Sequence, residues 1–235
     1  QRLGRQGVVT NKEKKMSKSK GNVVSPDEFV EKYGSDVFRM YLMFMGPFTD
    51  GGDWNDQGIT GIARFVERFY GLMTAESEPK DEEVALRAVH GTIKRVTQEI
   101  EKLQFNTAIA ALMELTNTGT KIGLTADQKK MIVRLIAPLA PHLAEEIWDQ
   151  LGEKESIFNA LWPEYDEALT VSSTVTLAVQ VNGKLRGQVE VEADIAEDAA
   201  IEAAADLENV QKYLDGKEIV KKIYVPGKIV GFVVK

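Results

Sequence analysis

Leu86, Val89, Ile93, Val96, Ile100 and Leu103 recur at three- and four-residue steps. Such spacing paints one continuous apolar stripe along a helix and demands that neighbouring helices cover it, so this stretch is a bundle seam and not a strand. The residues that follow supply the neighbours. Asn106 begins a second helix through Ile109, Leu112, Met113 and Thr116. Thr125-Ala126-Asp127-Gln128 has the layout of a capping box and opens a third through Ile132, Leu135 and Ile136. Pro141 starts a fourth containing Leu143, Ile147, Trp148 and Leu151, closed by Gly152. Connections this short favour four antiparallel helices.

Upstream, Ser25-Pro26-Asp27-Glu28 predicts a helix start with Ser25 as cap and Glu28 completing a capping box, ending at Gly34. Ser35 is expected to cap a second helix through Val37, Met40, Tyr41 and Phe44, and Asn55 a third in which Ile59, Ile62, Phe65, Phe69 and Leu72 share a face. The apolar-free segment 76–83 reads as a linker or boundary. Beyond the bundle the period changes to two. Val175, Leu177, Val179 and Val181 alternate with polar or small residues, Asn182-Gly183 is a strong hairpin signal, and Leu185–Val191 returns. An alanine-rich helical stretch, 196–214, and a hairpin turning at Pro226-Gly227 complete the tail. The expected fold is therefore mainly helical, with an antiparallel bundle followed by a small α+β domain whose four-stranded sheet is mainly antiparallel. Expected domains are 1–75, 76–166 and 175–235.

The formal net charge of −7 argues at first against a polyanionic partner, but its distribution does not. Residues 1–20 carry seven Lys or Arg against Glu13 alone, and the last nineteen carry Lys217, Lys221, Lys222, Lys228 and Lys235 against Glu218 alone. Local potential decides whether a phosphate backbone can approach, although solvated charges cluster by chance as well. Cysteine is absent and only His90 and His142 are present, so no disulfide and no metal site are expected. No apolar run is long enough to cross a membrane, and no secretion signal is evident, so a cytoplasmic location is expected. The start in Gln1-Arg2-Leu3-Gly4-Arg5, without a methionine, suggests an excised fragment.

Lys15-Met16-Ser17-Lys18-Ser19, continuing Lys20-Gly21-Asn22, sets lysines among small hydroxyl residues just before a helix start. A solvated surface loop or localisation-type patch is one reading of such a pentamer. The run also resembles the signature loop of class I aminoacyl-tRNA synthetases, and the resemblance continues downstream. Ser25-Pro26-Asp27 and Tyr33-Gly34-Ser35-Asp36 are similar to that family's segment after the signature, and Met43 to Phe48, Trp54 to Ile59 and Arg64-Phe65 resemble its leucyl branch in particular. Ala137 to His142 with Glu145-Glu146-Ile147-Trp148 resembles its anticodon-stem bundle, and Trp162-Pro163-Glu164-Tyr165 the stretch leaving it. Val179 to Gly187 and Tyr224 to Lys228 look like its small C-terminal tRNA-binding domain.

The resemblance implies amino-acid activation, in which a carboxylate attacks the α-phosphate of ATP and expels pyrophosphate. Charge grows on the leaving group, so a positioned ammonium lowers the barrier. It implies Lys18 as the catalytic, phosphate-contacting residue, with Lys15, Ser17, Ser19 and Lys20 completing an ATP-binding loop. Implied partners are ATP with Mg2+, leucine and leucine tRNA for a full enzyme acting as a monomer, with no membrane and no cofactor bound to the fragment. Arg87, Lys94 and Lys102, on roughly one helix face, and Lys184, Arg186, Lys221 and Lys222 in the tail are candidate tRNA contacts; each is equally readable as a solvated charge. His142 is expected to pack or cap, and Trp54 to brace the base of the loop. The family's first nucleotide-binding half and its editing insertion are not among these residues, so the fragment alone is expected neither to form adenylate nor to edit. Two alternatives stay open: an isoleucyl, valyl or methionyl relative, and a free-standing RNA-binding module, which has no use for the phosphate loop.

Overall fold

A computed structural model describes residues 6–170, 174–192 and 195–235. Arg2 and Arg5 of the basic start lie outside the described residues. The chain divides into two compact units, Gln1–Thr170 and Val171–Lys235.

The first unit opens with a strand, β1 (Val8–Asn11), that folds back through Lys12 and Glu13 onto the short β2 (Lys14–Lys15). Helices α1 (Pro26–Tyr33) and α2 (Ser35–Phe44) then cross over to β3 (Gly51–Asp53), which lies parallel to β1. This three-stranded sheet, ordered β2-β1-β3, was not anticipated, because each strand is too short to show an alternating pattern. The expected capping box at Ser25 does not form: its hydroxyl donates to the Asp27 carboxylate at 3.3 Å, and the helix start rests on Pro26.

Helix α3 (Gly58–Thr74) carries Ile59, Ile62, Phe65 and Phe69 into the core. Asn55 precedes it by accepting the Gln57 N–H at 2.9 Å, a turn ahead of the cap position. The bundle follows as α4 (Glu82–Glu101), α5 (Phe105–Ile122), α6 (Ala126–Ile136) and α7 (Pro141–Gln150), with the short α8 (Glu167–Thr170) folded against α4. Asp81 caps α4, and Thr125 and Gln128 form the expected reciprocal box at α6. Val89, Ile93 and Val96 of the seam are fully buried against Ile109, Leu112, Ile132 and Leu135. One core runs without interruption from Val37 to Ile157, joining α2 and α3 to the bundle. Lys129 is buried at its edge, where its ammonium donates to the Ala75 carbonyl at the end of α3, a favourable place for a cation. Desolvation holds its pKa below the usual lysine value.

The second unit is a sheet with helices on one face. Strand β4 (Thr174–Val181) turns at Asn182-Gly183 into β5 (Lys184–Glu192), and both turn residues take the positive φ that a tight hairpin needs. Helices α9 (Glu197–Ala205) and α10 (Glu208–Leu214) divide the alanine-rich stretch at Asp206-Leu207. Strands β6 (Ile219–Val225) and β7 (Ile229–Val234) close the fold. The order is β5-β4-β7-β6, with β4 and β7 parallel at the centre and an antiparallel hairpin on each side. The sheet is thus mixed and not mainly antiparallel. Both hairpins were legible, but the helices carry the chain back so that the second hairpin meets the first through parallel strands.

The core makes a quantitative expectation. Leu112→Ala, at a fully buried position, should destabilise the first unit by about 2–5 kcal/mol. Val84→Ala, at an exposed position near the start of α4, should cost less than about 0.5 kcal/mol. The difference is measured as the shift in urea unfolding midpoint.

Candidate functional site

The lysine-serine loop stands between two apolar feet, Met16 and Val24, both packed against the core of the first unit. Between them, Lys18–Lys20 make a single 3-10 turn, closed by Lys20 N–H to Ser17 O at 3.0 Å and Gly21 N–H to Lys18 O at 3.2 Å. Gly21 takes φ 62°, which reverses the chain at little steric cost. The Ser17 and Ser19 hydroxyls lie 2.8 Å apart, and Lys15, Lys18, Ser19 and Lys20 are exposed. The structure therefore brings Ser17, Lys18, Ser19 and Lys20 into one turn, with Lys15 leading into it from the end of β2, and the three lysines and Ser19 are open to solvent. Ammonium and hydroxyl donors match phosphate oxygens.

The base of the loop is braced from β3. Asp53 accepts hydrogen bonds from the Thr10 hydroxyl at 2.6 Å and from the Glu13 N–H at 2.9 Å, holding the β1–β2 turn whose two non-glycine residues have positive φ. The Thr10 bond above all, then the backbone bond, draws the Asp53 pKa below the usual aspartate value. Trp54 follows. Its backbone N–H donates to Thr10 O at 2.8 Å, and its ring meets Phe29 at 4.8 Å and Tyr41 at 5.1 Å. Tyr41 in turn donates to Asn55 O at 2.7 Å and accepts the Asn55 N–H at 3.1 Å, and burial raises its pKa. Sequence reasoning proposed Trp54 as a brace but missed Thr10, Asp53 and Tyr41. Polar residues beside a glycine pair were the available signal.

A second tie joins this region to the bundle. Asp36, buried at the start of α2, accepts the Leu143 N–H at 2.7 Å and pairs with His142 Nδ1 at 2.9 Å. It caps α7 across more than a hundred residues of sequence; His142, expected to pack or cap, is itself largely exposed and serves as the side-chain partner of that capping carboxylate.

The candidate nucleic-acid contacts fare unequally. Arg87 pairs with Glu83 at 2.8 Å, Lys102 with Glu99 at 3.7 Å, and Lys94 with Glu167 while lying 5.8 Å from the Tyr165 ring. All three face carboxylates on their own surface. On α3, Arg64 donates to Thr60 O and Arg68 to the Asn117 amide, neither of them an anion. In the second unit Lys184, Lys221 and Lys222 are exposed, the latter two on the edge strand β6, where charge also discourages further strand pairing. Arg186 is instead half-buried and stacks on Tyr213 at 3.9 Å, donating to its hydroxyl at 3.0 Å.

A loop of exposed lysines thus stands ahead of an α-α-β-α segment and a helical bundle, and comparison with known proteins places this layout in a family. Residues 82–201, just over half of the chain, match the anticodon-binding domain of tRNA ligases, and residues 1–63 match class I tRNA synthetases of the methionyl type. The chain belongs to the family of tRNA ligases that carry this anticodon-binding domain. Its relatives are leucine–tRNA ligases. That of Dehalococcoides mccartyi is 46% identical across all of this chain and 30% of its own length. Those of Chlorobaculum parvum and Deinococcus radiodurans are 43% and 42% identical with the same coverage. A crystal structure of an Agrobacterium radiobacter LeuRS, in a ternary complex with tRNA and LeuAMS, superimposes with a TM-score of 0.70 at 31% identity, over 98% of this chain and 32% of that one. The chain spans about a third of the length of the relatives it matches.

The brace carries a pH expectation. Since Asp53 is held charged by its donors, the tie to the β1–β2 turn is complete above the ordinary aspartate pKa and is lost only as pH falls through the lowered one. A carboxyl carbon NMR titration should place the Asp53 midpoint below the ordinary aspartate value. Thr10→Val should move it upward.

Proposed function

We propose that these residues serve as the part of a leucine–tRNA ligase that presents the mobile ATP-phosphate loop and holds the tRNA. The single observation that carries the reading is the solvent-open turn at Lys18–Lys20, flanked by Lys15 and Ser17, in one compact unit with a bundle of the anticodon-binding family. In the reaction, leucine's carboxylate attacks the α-phosphate of ATP and pyrophosphate leaves. Lys18 meets the charge growing on the leaving phosphates, and Lys15, Lys20 and the Ser17 and Ser19 hydroxyls orient them. Mg2+ accompanies ATP as part of the substrate. Transfer of leucine to the tRNA's terminal ribose follows.

Residues 1–75 form the end of the catalytic domain, 76–166 the tRNA-holding bundle, and 175–235 a small tRNA-binding domain. Lys184, Lys221 and Lys222 offer phosphate contacts there, and Arg186 contributes through its stacked position. On the bundle, Arg87, Lys94 and Lys102 reach RNA only by exchanging their carboxylate partners for phosphates. The relatives' names support the leucine assignment, and the complexed neighbour supports tRNA as partner. The 235 residues by themselves are expected to make no leucyl-adenylate.

In the full-length ligase, Lys18→Ala should slow leucine-dependent ATP–pyrophosphate exchange by about a hundredfold or more, as expected for a donor aimed at developing charge. A rate within twofold of the unaltered enzyme would remove Lys18 from that role. Removing residues 175–235 should weaken binding of leucine tRNA, measured by filter retention; unchanged affinity would end the assignment of this unit to tRNA.

A further inference from the structure

Asn22 makes more polar contacts than a residue following a turn requires. Its side-chain oxygen accepts the Ser17 N–H at 2.8 Å, and its side-chain nitrogen donates to the Lys15 carbonyl at 3.2 Å. Its own carbonyl accepts from the Asn11 side chain, at the end of β1, at 3.1 Å. One amide thus bridges the two stems of the loop, taking the place of a pair of backbone bonds. Only a primary amide of this length offers an acceptor and a donor side by side: aspartate lacks the donor, and glutamine is one methylene longer. Everything between the stems is internally closed as well, through the Ser17–Lys20 and Lys18–Gly21 backbone bonds.

We propose that Asn22 is the positioning residue of the loop, and that Asn11 fixes the closed ring to the sheet. The proposal rests on the function argued above, in which Lys18 faces phosphate. With the Lys15 and Ser17 backbones tied to Asn22, the turn that carries Lys18 is ordered before ATP arrives, and its backbone entropy is not lost during the reaction. When the loop closes on substrate it moves as one ring, so bending is confined to the residues outside it. Asn22 touches neither substrate nor reacting atoms. Its effect passes through Lys18.

That dependence separates positioning from general support of the fold. In the full-length ligase, Asn22→Ala should lower kcat for ATP–pyrophosphate exchange by about tenfold, with KM for leucine unchanged, because the loss falls on transition-state contact. In a Lys18→Ala background the same substitution should change the rate less than about twofold, since two residues acting through one contact are not additive. Asn11→Ala should show a smaller loss with the same dependence on Lys18. In amide exchange without ATP, Ser17 N–H should lose protection in Asn22→Ala. Equal losses with and without Lys18, or full kcat in Asn22→Ala while Lys18→Ala is slow, would overturn the positioning role alone. Full kcat in Lys18→Ala would overturn both this role and the function assigned to the loop.

Discussion

The parallel pairing of β1 with β3 is the constraint on which the candidate site depends. Only three residue pairs make it, Val8 with Gly51 through Thr10 with Asp53, yet it fixes where the lysine loop leaves the fold. The approach is so close that a Cβ on Gly7 would sit 2.1 Å from Gly51 N, and one on Gly51 would sit 2.3 Å from Val8 O. Gly51 also takes φ 77°, a conformation that side chains disfavour. Parallel strands need a crossover, and here α1 and α2 provide it. Their aromatic residues, Phe29, Phe38 and Tyr41, then receive Trp54 as β3 ends. Sheet, crossover and aromatic cluster are one device, and the loop is its free end.

Polar ties complete what apolar packing begins. The core holds α2 and α3 against the bundle without choosing the angle at which α7 starts. Asp36 makes that choice, because a buried carboxylate has to find donors, and the α7 amide and His142 supply them. Thr10 and Asp53 do the same for the hairpin turn. Charge on the bundle surface is disposed differently. The α4 cations face carboxylates, whereas Arg64 and Arg68 on α3 bond to a carbonyl and an amide. A phosphate approaching α4 competes with an anion already in place, and one approaching α3 does not. Net charge therefore says less about a polyanionic partner than the pairing of each cation does.

Much of this was legible in the sequence, and what escaped has a common cause. The helices of the bundle follow from apolar periodicity that runs for several turns, and the box at Thr125–Gln128 follows because all its atoms lie within one turn. The same four-residue pattern at Ser25 failed: the Ser25 hydroxyl turns to donate to the Asp27 carboxylate and accepts no backbone N–H of the first turn. The Asn182-Gly183 hairpin was readable from two residues, but the parallel register of β4 with β7 was not, because no local signal says how two hairpins meet. The loop was recognised through its lysines, the residues that would touch a ligand. Asn22 and Asp53, which hold it, were visible only once the loop's two stems and the ends of β1 and β3 were placed side by side.

This division bears on how such a loop can be both mobile and accurate. A flexible segment that ordered itself on each encounter with substrate would lose backbone freedom at every residue it fixed, about 1–2 kcal/mol apiece. Here the turn is closed by bonds among residues 15–22, and its stems rest on Met16 and Val24, half-buried against the core. What remains free is the outward direction of the lysine side chains and whatever bending the stems allow. Ammonium groups on long stems then search a small volume from a fixed origin. Entropy is left in the side chains, where it would let the proposed phosphate contacts form late, and withheld from the backbone, where it would blur them.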